Sequence, residues 1–333
     1  MTESSQRRLS KHLEIAMRGT ATRYVILLGL TVTALLGCQS AGMRFLSLIG
    51  LRRNPVVVAV VAHKPSAAPE GTFFGLNPFA PYEPLRAALA KDLARPVALD
   101  LCFPIQLEPA LASGVAHVAF TSPGQYAAFS AGQSLRVVAV PVDFQGRSAR
   151  PAVLVVRPDA NIREVADLRG KTVAFGPADD TRTHRAALEL LARHGLAPGD
   201  LSLELLPIPG SLKHMPNMRA VAQTVMHASS DAGFLDLSAW EQLPEQAERR
   251  DDPERARLRV IAETLPVPDH LVVVSPRLDE ETIEEIRSFL LEAHEDAPEL
   301  LAPLGVARYA PPTEDVMDVC RRLAEAGTRA VEP

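Results

Sequence analysis

Beyond residue 54 the chain alternates short apolar runs with longer stretches in which apolar side chains recur every three or four positions, a pattern that restricts it to an α/β sheet protein. The runs predict strands over 55–62, 96–102, 115–120, 135–141, 152–157, 171–175, 201–208, 231–235, 258–262 and 270–274. Helices are predicted between them. In the stretch from Tyr82 to Leu93 the side chains Leu85, Leu89 and Leu93 fall four apart, and Pro84 sits in a first turn, where its missing N–H costs nothing. Ala187, Leu188, Leu190 and Leu191 mark a helix from about Thr181 to His194, with Gly195 as its stop. Ile283, Ile286, Phe289 and Leu290 mark another over 279–296, opened by acidic residues that suit the positive end of the helix dipole. A last helix spans about 313–326 with Thr313 as N-cap.

Two stretches, Arg136 to Arg157 and Leu258 to Val274, are each a pair of apolar strands joined by a short polar or proline-rich break. Two such joints far apart in sequence are what two lobes linked by a double crossover need. The expected lobes are 55–146 with 266–326, and 147–265 inserted between them.

Ahead of this body, Leu35-Leu36-Gly37-Cys38 closes the apolar run Tyr24 to Leu36, which follows Arg18 and Arg23. Basic residues, a short apolar core and a small residue make a secretory signal too short to span a bilayer comfortably, and the terminal cysteine resembles a bacterial lipobox. That resemblance implies removal of residues 1–37, lipidation of Cys38 and a tether over 38–54. Two or more acyl chains hold a protein firmly at a membrane, so the function is expected outside the cytoplasm. The competing reading is an uncleaved anchor helix or a core segment. Residues 1–16 are polar, and a start at Met17 would give the signal ordinary proportions.

The formal charge of −5 is mild and no dense Lys/Arg stripe with interleaved aromatics is present, which argues against nucleic acid as a partner. With Cys38 lipidated, Cys102 and Cys320 remain; a disulfide is allowed, but Cys320 lies on the helical stripe Val316, Val319, Leu323, so two buried free thiols are expected. His63, His184, His214 and His227 have no i, i+4 pairing, and no metal or cofactor is expected.

Several phrases resemble those of type II periplasmic solute-binding proteins of ABC transporters, in the phosphate, phosphite and phosphonate branch. Asp167-Leu168-Arg169-Gly170-Lys171-Thr172-Val173-Ala174-Phe175-Gly176 is similar to the family phrase that opens the second lobe. Gly114-Val115-Ala116-His117-Val118-Ala119-Phe120, followed by Ser122-Pro123 and Tyr126, resembles a first-lobe phrase that leads into a site loop. Asp231-Ala232-Gly233-Phe234-Leu235-Asp236 resembles its second-lobe counterpart, and Leu265-Pro266-Val267-Pro268 the return to lobe one. The resemblance implies a Venus-flytrap architecture: two α/β lobes with central mixed sheets flanked by helices, two hinge strands, and a ligand in the cleft. It also implies an ABC permease and ATPase as partners, with the receptor itself a monomer.

An oxyanion needs donors already oriented, and the turn from Gly176 to Thr183 lies between a strand and a helix, where such donors gather. The resembled family places a Ser-Thr-Ser-like triplet there; this chain has Asp179 and Asp180 before Thr181, with Arg182, Thr183 and His184 after. Either Asp179 or Asp180 is an N-cap that leaves Thr181 and Thr183 to the ligand, or the pair lines the cleft and favours a cationic or zwitterionic solute. Asp236 matches a family position that meets an amine, or is a solvated loop residue. Thr121 and Ser122 follow a strand, where open α/β sheets bind ligands, and Tyr82 matches the family's aromatic near the ligand. Tyr126 is read as ligand contact or packing, and Phe73, Phe74 and Phe79 as a loop anchor or an apolar wall. His117, where the family has Asp, is read as structural.

The leading expectation is a lipid-tethered receptor for a small oxyanion such as phosphate, phosphite or phosphonate, handing it to an importer. The alternatives are an accessory lipoprotein that reports its ligand to a sensor kinase, and a receptor for a zwitterionic or cationic solute. An enzyme is not expected: no G-x-S-x-G elbow, H-E-x-x-H, phosphate loop or dinucleotide fingerprint occurs.

Overall fold

The computed structural model describes residues 55–61, 77–129, 135–204, 211–248 and 257–329. The signal, Cys38, the tether, Phe73 and Phe74 lie outside the described residues. No helix among the described residues is long and apolar enough to cross a membrane.

Among the described residues, eleven strands form two mixed sheets. The first contains β1 (Val56–Val61), β2 (Val97–Cys102), β3 (Val118–Thr121), β4 (Arg136–Val142), β10 (Leu271–Val274) and β11 (Arg308–Ala310), in the order β11-β4-β10-β3-β1-β2. Strands β2, β1 and β3 run parallel, and β10 turns antiparallel between β3 and β4. The second contains β5 (Ala152–Val156), β6 (Val173–Phe175), β7 (Lys213–His214), β8 (Ala232–Asp236) and β9 (Arg259–Glu263), in the order β7-β6-β8-β5-β9. Strand β1 is buried at every position, as a strand covered on both faces must be, and that is why it reads as an unbroken valine-rich run.

Helices α1 (Glu83–Asp92) and α7 (Glu280–Asp296) cover one face of the first sheet with Leu85, Leu89, Ile283, Ile286 and Leu290. The Asp279 carboxylate caps α7 by accepting from the Thr282 N–H at 2.8 Å. Helix α2 (Pro104–Ser113), with α8 (Glu314–Arg329), covers the other face, and Gly114 ends α2 at φ +75°, a left-handed conformation that glycine adopts without a Cβ penalty. Cys102 and Cys320 are both buried and free within this layer. Helices α4 (Ala186–Arg193), α5 (Met218–Met226) and α6 (Leu237–Glu248) belong to the second sheet, and the short α3 (Pro123–Ala127) follows β3 in the first.

The main departure from the sequence reading is at 201–208. The described part of that run, through Glu204, makes a single isolated bridge to Ser211 and no strand, while the two-residue β7 and three-residue β11 were too short to show a period. The predicted helix from Thr181 also begins differently. Thr181–Arg185 form a π-helical turn, with the Ala186 N–H donating to the Thr181 carbonyl, and regular α-helix starts at Ala186. The turn's wider gauge shifts the side chains of residues 181–185 off the register of the helix behind them.

Two segments link the sheets, β4 to β5 and β9 to β10, and they pair with each other where Arg150 bridges Val267. Beside them Leu265, Val267 and Ala186 pack on Leu323, Val319 and Ala127, which draws α8 and α3 against α4. Across the same boundary the Arg322 guanidinium donates to Glu189 at 2.5 Å, a carboxylate only 7% exposed.

Candidate functional site

The carboxyl ends of β3 and β6 face each other across the boundary between the sheets. From the first sheet comes Thr121-Ser122-Pro123-Gly124. Ser122 caps α3, its hydroxyl accepting from the Gln125 N–H at 3.1 Å, and Pro123 fills the first turn without loss. From the second comes the π-helical turn. Asp180 caps it, accepting from both the N–H and the hydroxyl of Thr183 at 2.8 and 2.9 Å, while Asp179 stands exposed. Gly176 permits the turn, because a Cβ there would run into the Thr183 side chain.

These two lips touch: the Gly124 N–H donates to the Thr181 hydroxyl at 3.2 Å. This contact joins the two lips across the seam. Three residues before Gly124, the Thr121 hydroxyl is fully buried with no hydrogen-bond partner among the described residues. A buried hydroxyl left unpaired costs about 1–3 kcal/mol, so it marks a place where a partner is missing.

Behind the lips lies a closed ring of charge. Arg182, only 5% exposed, donates to Asp236 at 2.6 Å and pairs with Asp269, and its Nε reaches the Val267 carbonyl at 3.3 Å. Arg150 also holds Asp269, at 2.9 and 3.0 Å, and donates to the Ser238 hydroxyl. The Ser238 N–H closes the circuit onto Asp236 at 2.9 Å. Burial pushes the Asp236 carboxyl upward, but Arg182, Arg150 and the Ser238 N–H outweigh it and hold the pKa below the ordinary carboxylate range. Two guanidinium groups and two carboxylates cancel, and Arg150 and Asp269 sit on the two linking segments, so the ring ties the hinge to the second lip.

Arg185, the last residue of the turn, is built differently. Its side chain lies on the opposite lip: a Cβ on Gly124 would meet Arg185 Cδ at 2.8 Å and Nε at 3.3 Å, and Thr181 Oγ1 at 2.8 Å. Desolvation lowers its pKa, and no carboxylate among the described residues pairs with it.

The structure therefore brings Thr121, Ser122, Thr181, Arg182, Thr183 and Asp236 to one seam and leaves Asp179 at its rim. Tyr82 lies at the first sheet. It leans on Phe120 with ring centroids 5.3 Å apart, packed against the first sheet's core, and burial pushes its hydroxyl up to about 12. Tyr126 packs edge-on to Phe129 at 5.8 Å, and His117 accepts the Val57 N–H on Nδ1 at 3.0 Å. His184 and His214, which show no helical pairing in sequence, meet across β6 with ring nitrogens 2.9 Å apart. Burial first, then His214 and Arg185, press the His184 pKa down to about 4. No cluster of three or more metal-binding side chains occurs among the described residues. Sequence reasoning missed Arg150, Arg185 and Asp269; the first and last lie in the joints where the chain changes sheet, and only that topology points to them.

Residues 79–317 match the family described as ABC transporter, phosphonate, periplasmic substrate-binding protein. No curated protein sequence matches the chain significantly. Among solved structures, XAC2383 from Xanthomonas citri bound to ATP is similar at TM-score 0.64 and 19% identity, covering 84% of this chain and all of that one (100%). PhnD1 from Prochlorococcus marinus in complex with methylphosphonate is similar at TM-score 0.53 and 14% identity, covering 82% and 97% of the two chains. A binding protein component of an ABC phosphonate transporter from Pseudomonas aeruginosa is similar at TM-score 0.53 and 14% identity, covering 83% and 87%. At these identities the likeness establishes the two-lobed fold.

Proposed function

The chain belongs to the family of periplasmic substrate-binding proteins of phosphonate ABC transporters, and on that premise we propose that it captures a small oxyanion at the seam between its lobes and presents it to an ABC permease. The family binds solutes outside the cytoplasm and is not a family of enzymes. The lobes are 55–146 with 266–326, and 147–265, swinging about the linking segments that carry Arg150 and Asp269. The observation that carries the reading is the wholly buried Thr121 hydroxyl, without a hydrogen-bond partner among the described residues, on a lip that one hydrogen bond, Gly124 to Thr181, joins to the other. An oxyanion entering the parted lips takes the Thr121 hydroxyl, the Gly124 N–H and the Thr181 hydroxyl as donors, and closure around it replaces one weak contact with several charge-assisted ones. Ser122 through its cap, and Thr183 through its bonds to Asp180, position these groups, and Arg182 with Asp236 stiffens the second lip.

The lipobox-like Leu35-Leu36-Gly37-Cys38 supports a receptor tethered through Cys38 to the outer face of a membrane, and Cys38→Ala is expected to release the protein from the membrane fraction. A zwitterionic solute is a second reading, favoured by Asp236 and Asp269 in the ring: an amine on the ligand would find carboxylates there.

A thermal-shift panel of phosphate, phosphite, methylphosphonate, an aminophosphonate, a sulfonate and a polyamine tests this on the mature protein. A ligand at one hundred times its Kd stabilises the native state by about 2.7 kcal/mol. The reading predicts that at least one phosphorus oxyanion raises Tm and the polyamine does not; a larger rise with the aminophosphonate selects the second reading. A panel in which no oxyanion shifts Tm contradicts both.

A further inference from the structure

We propose that Arg185 is the specificity-determining residue of the seam: its guanidinium reads the full negative charge of a compact oxyanion, while Arg182, three residues earlier, serves the fold. This inference rests on the oxyanion reading given above and assigns the group that performs it.

Three arginines converge on the seam, and the structure sorts them. Arg150 and Arg182 are neutralised by Asp236 and Asp269, each carboxylate held at hydrogen-bond distance, so neither has charge to offer an incoming anion without breaking the ring. Arg185 carries the same charge with no carboxylate partner among the described residues. It is half-buried and partly desolvated, and its Cδ and Nε lie against the backbone of Gly124 on the opposite lip. A charge withdrawn from water without a partner is costly, and that cost is relieved only when an anion arrives. The neighbouring unsatisfied group, the Thr121 hydroxyl, lies three residues before Gly124 on the same lip. A guanidinium without a carboxylate partner and a hydroxyl without a hydrogen-bond partner, both among the described residues, share a single class of complement at this boundary, an oxygen bearing negative charge. Gly124 makes the arrangement possible, since any side chain there would occupy the path of Arg185.

The resulting division of labour explains how a lip that opens with Asp179 and Asp180 still accepts an anion. Asp180 is occupied in capping and Asp179 is exposed at the rim, so the unmatched charge at the seam is positive.

The test is calorimetry on the mature protein with methylphosphonate and inorganic phosphate as probes, comparing wild type, Arg185→Gln and Arg185→Lys, with unliganded Tm measured in parallel. Loss of one charge-assisted contact is expected to weaken the better-bound probe at least about tenfold in Arg185→Gln, with partial recovery in Arg185→Lys, which keeps the charge but not the fork. The unliganded Tm of Arg185→Gln is expected to equal or exceed that of wild type, because an uncompensated charge is removed. Affinity within about twofold of wild type in Arg185→Gln overturns the assignment and leaves the oxyanion reading standing. A fall in unliganded Tm that tracks the loss of affinity, with no recovery in Arg185→Lys, identifies a structural arginine and also overturns it. Wild-type protein that binds neither probe removes the oxyanion reading and this inference with it.

Discussion

The lip that the first sheet supplies, Thr121 to Gly124, carries no charge, whereas the lip from the second, Asp180 to Arg185, carries four titratable side chains in six residues. The neutral lip is held by ordinary devices, a serine cap and a proline in the first turn, and leaves one hydroxyl unpaired. The charged lip cannot be left so. Most of its charge is satisfied by Asp236, Asp269 and internal caps, and the residue that escapes, Arg185, lies on the neutral lip. On the proposed reading, the contrast means that the second lobe sets what the seam selects, while the first supplies generic donors.

The largest effect that would break this contrast comes from the ring. Arg182→Gln leaves Asp236 without its closest buried cation and is expected to cost about 3–5 kcal/mol in urea unfolding. A loss under about 1 kcal/mol would mean that the ring is not closed in solution and that Arg182 is free to bind ligand.

Next comes acid. The ordinary histidine value is near 6.5, and burial beside His214 and Arg185 presses His184 down to about 4. Between those values the unfolded chain binds the proton that the folded chain refuses, so stability falls as pH drops through that window and is unaffected above it. The expected difference in acid sensitivity between wild type and His184→Gln is on the order of 2–3 kcal/mol between pH 7 and pH 4. His214, Arg185 and Asp179 act on it, and Glu204 acts on His214, in both proteins, so identical pH profiles would show that His184 is solvated and the charged lip open.

The smallest effect sharpens the comparison at the point where the lips meet. Thr181→Ala removes the acceptor of the Gly124 N–H and is expected to weaken oxyanion binding by about 1.5–3 kcal/mol if the hydroxyl also reaches the ligand, and by about 1 kcal/mol if it only joins the lips. Calorimetry with methylphosphonate separates the two values.

Much of the fold was legible because its signals are periodic. The valine run of β1, the leucine spacing of α1 and the acidic opening of α7 each satisfy one local rule, and the structure obeys them. The run at 201–208 has the composition of a strand but its described part finds no neighbouring ladder, and β7 and β11 pair only because other strands present edges to them. The site was legible in part. Thr121, Ser122, Thr181 and Thr183 stand where strand ends and helix starts place them. The ring partners Arg150 and Asp269 lie 119 residues apart, and no pattern within either segment announces that they meet. Arg182 and Arg185 look alike in sequence; the π-helical turn sends one toward the hinge and the other across the seam.

Backbone hydrogen exchange with and without methylphosphonate puts the central claim, an oxyanion held between the two lips, to its most direct test. The account predicts added protection on both sides of the seam, in segments 121–126 and 176–186 together, with outlying elements such as α7 unchanged. Protection confined to one of the two segments, or absent from both while the ligand is bound, would place the ligand elsewhere and contradict it.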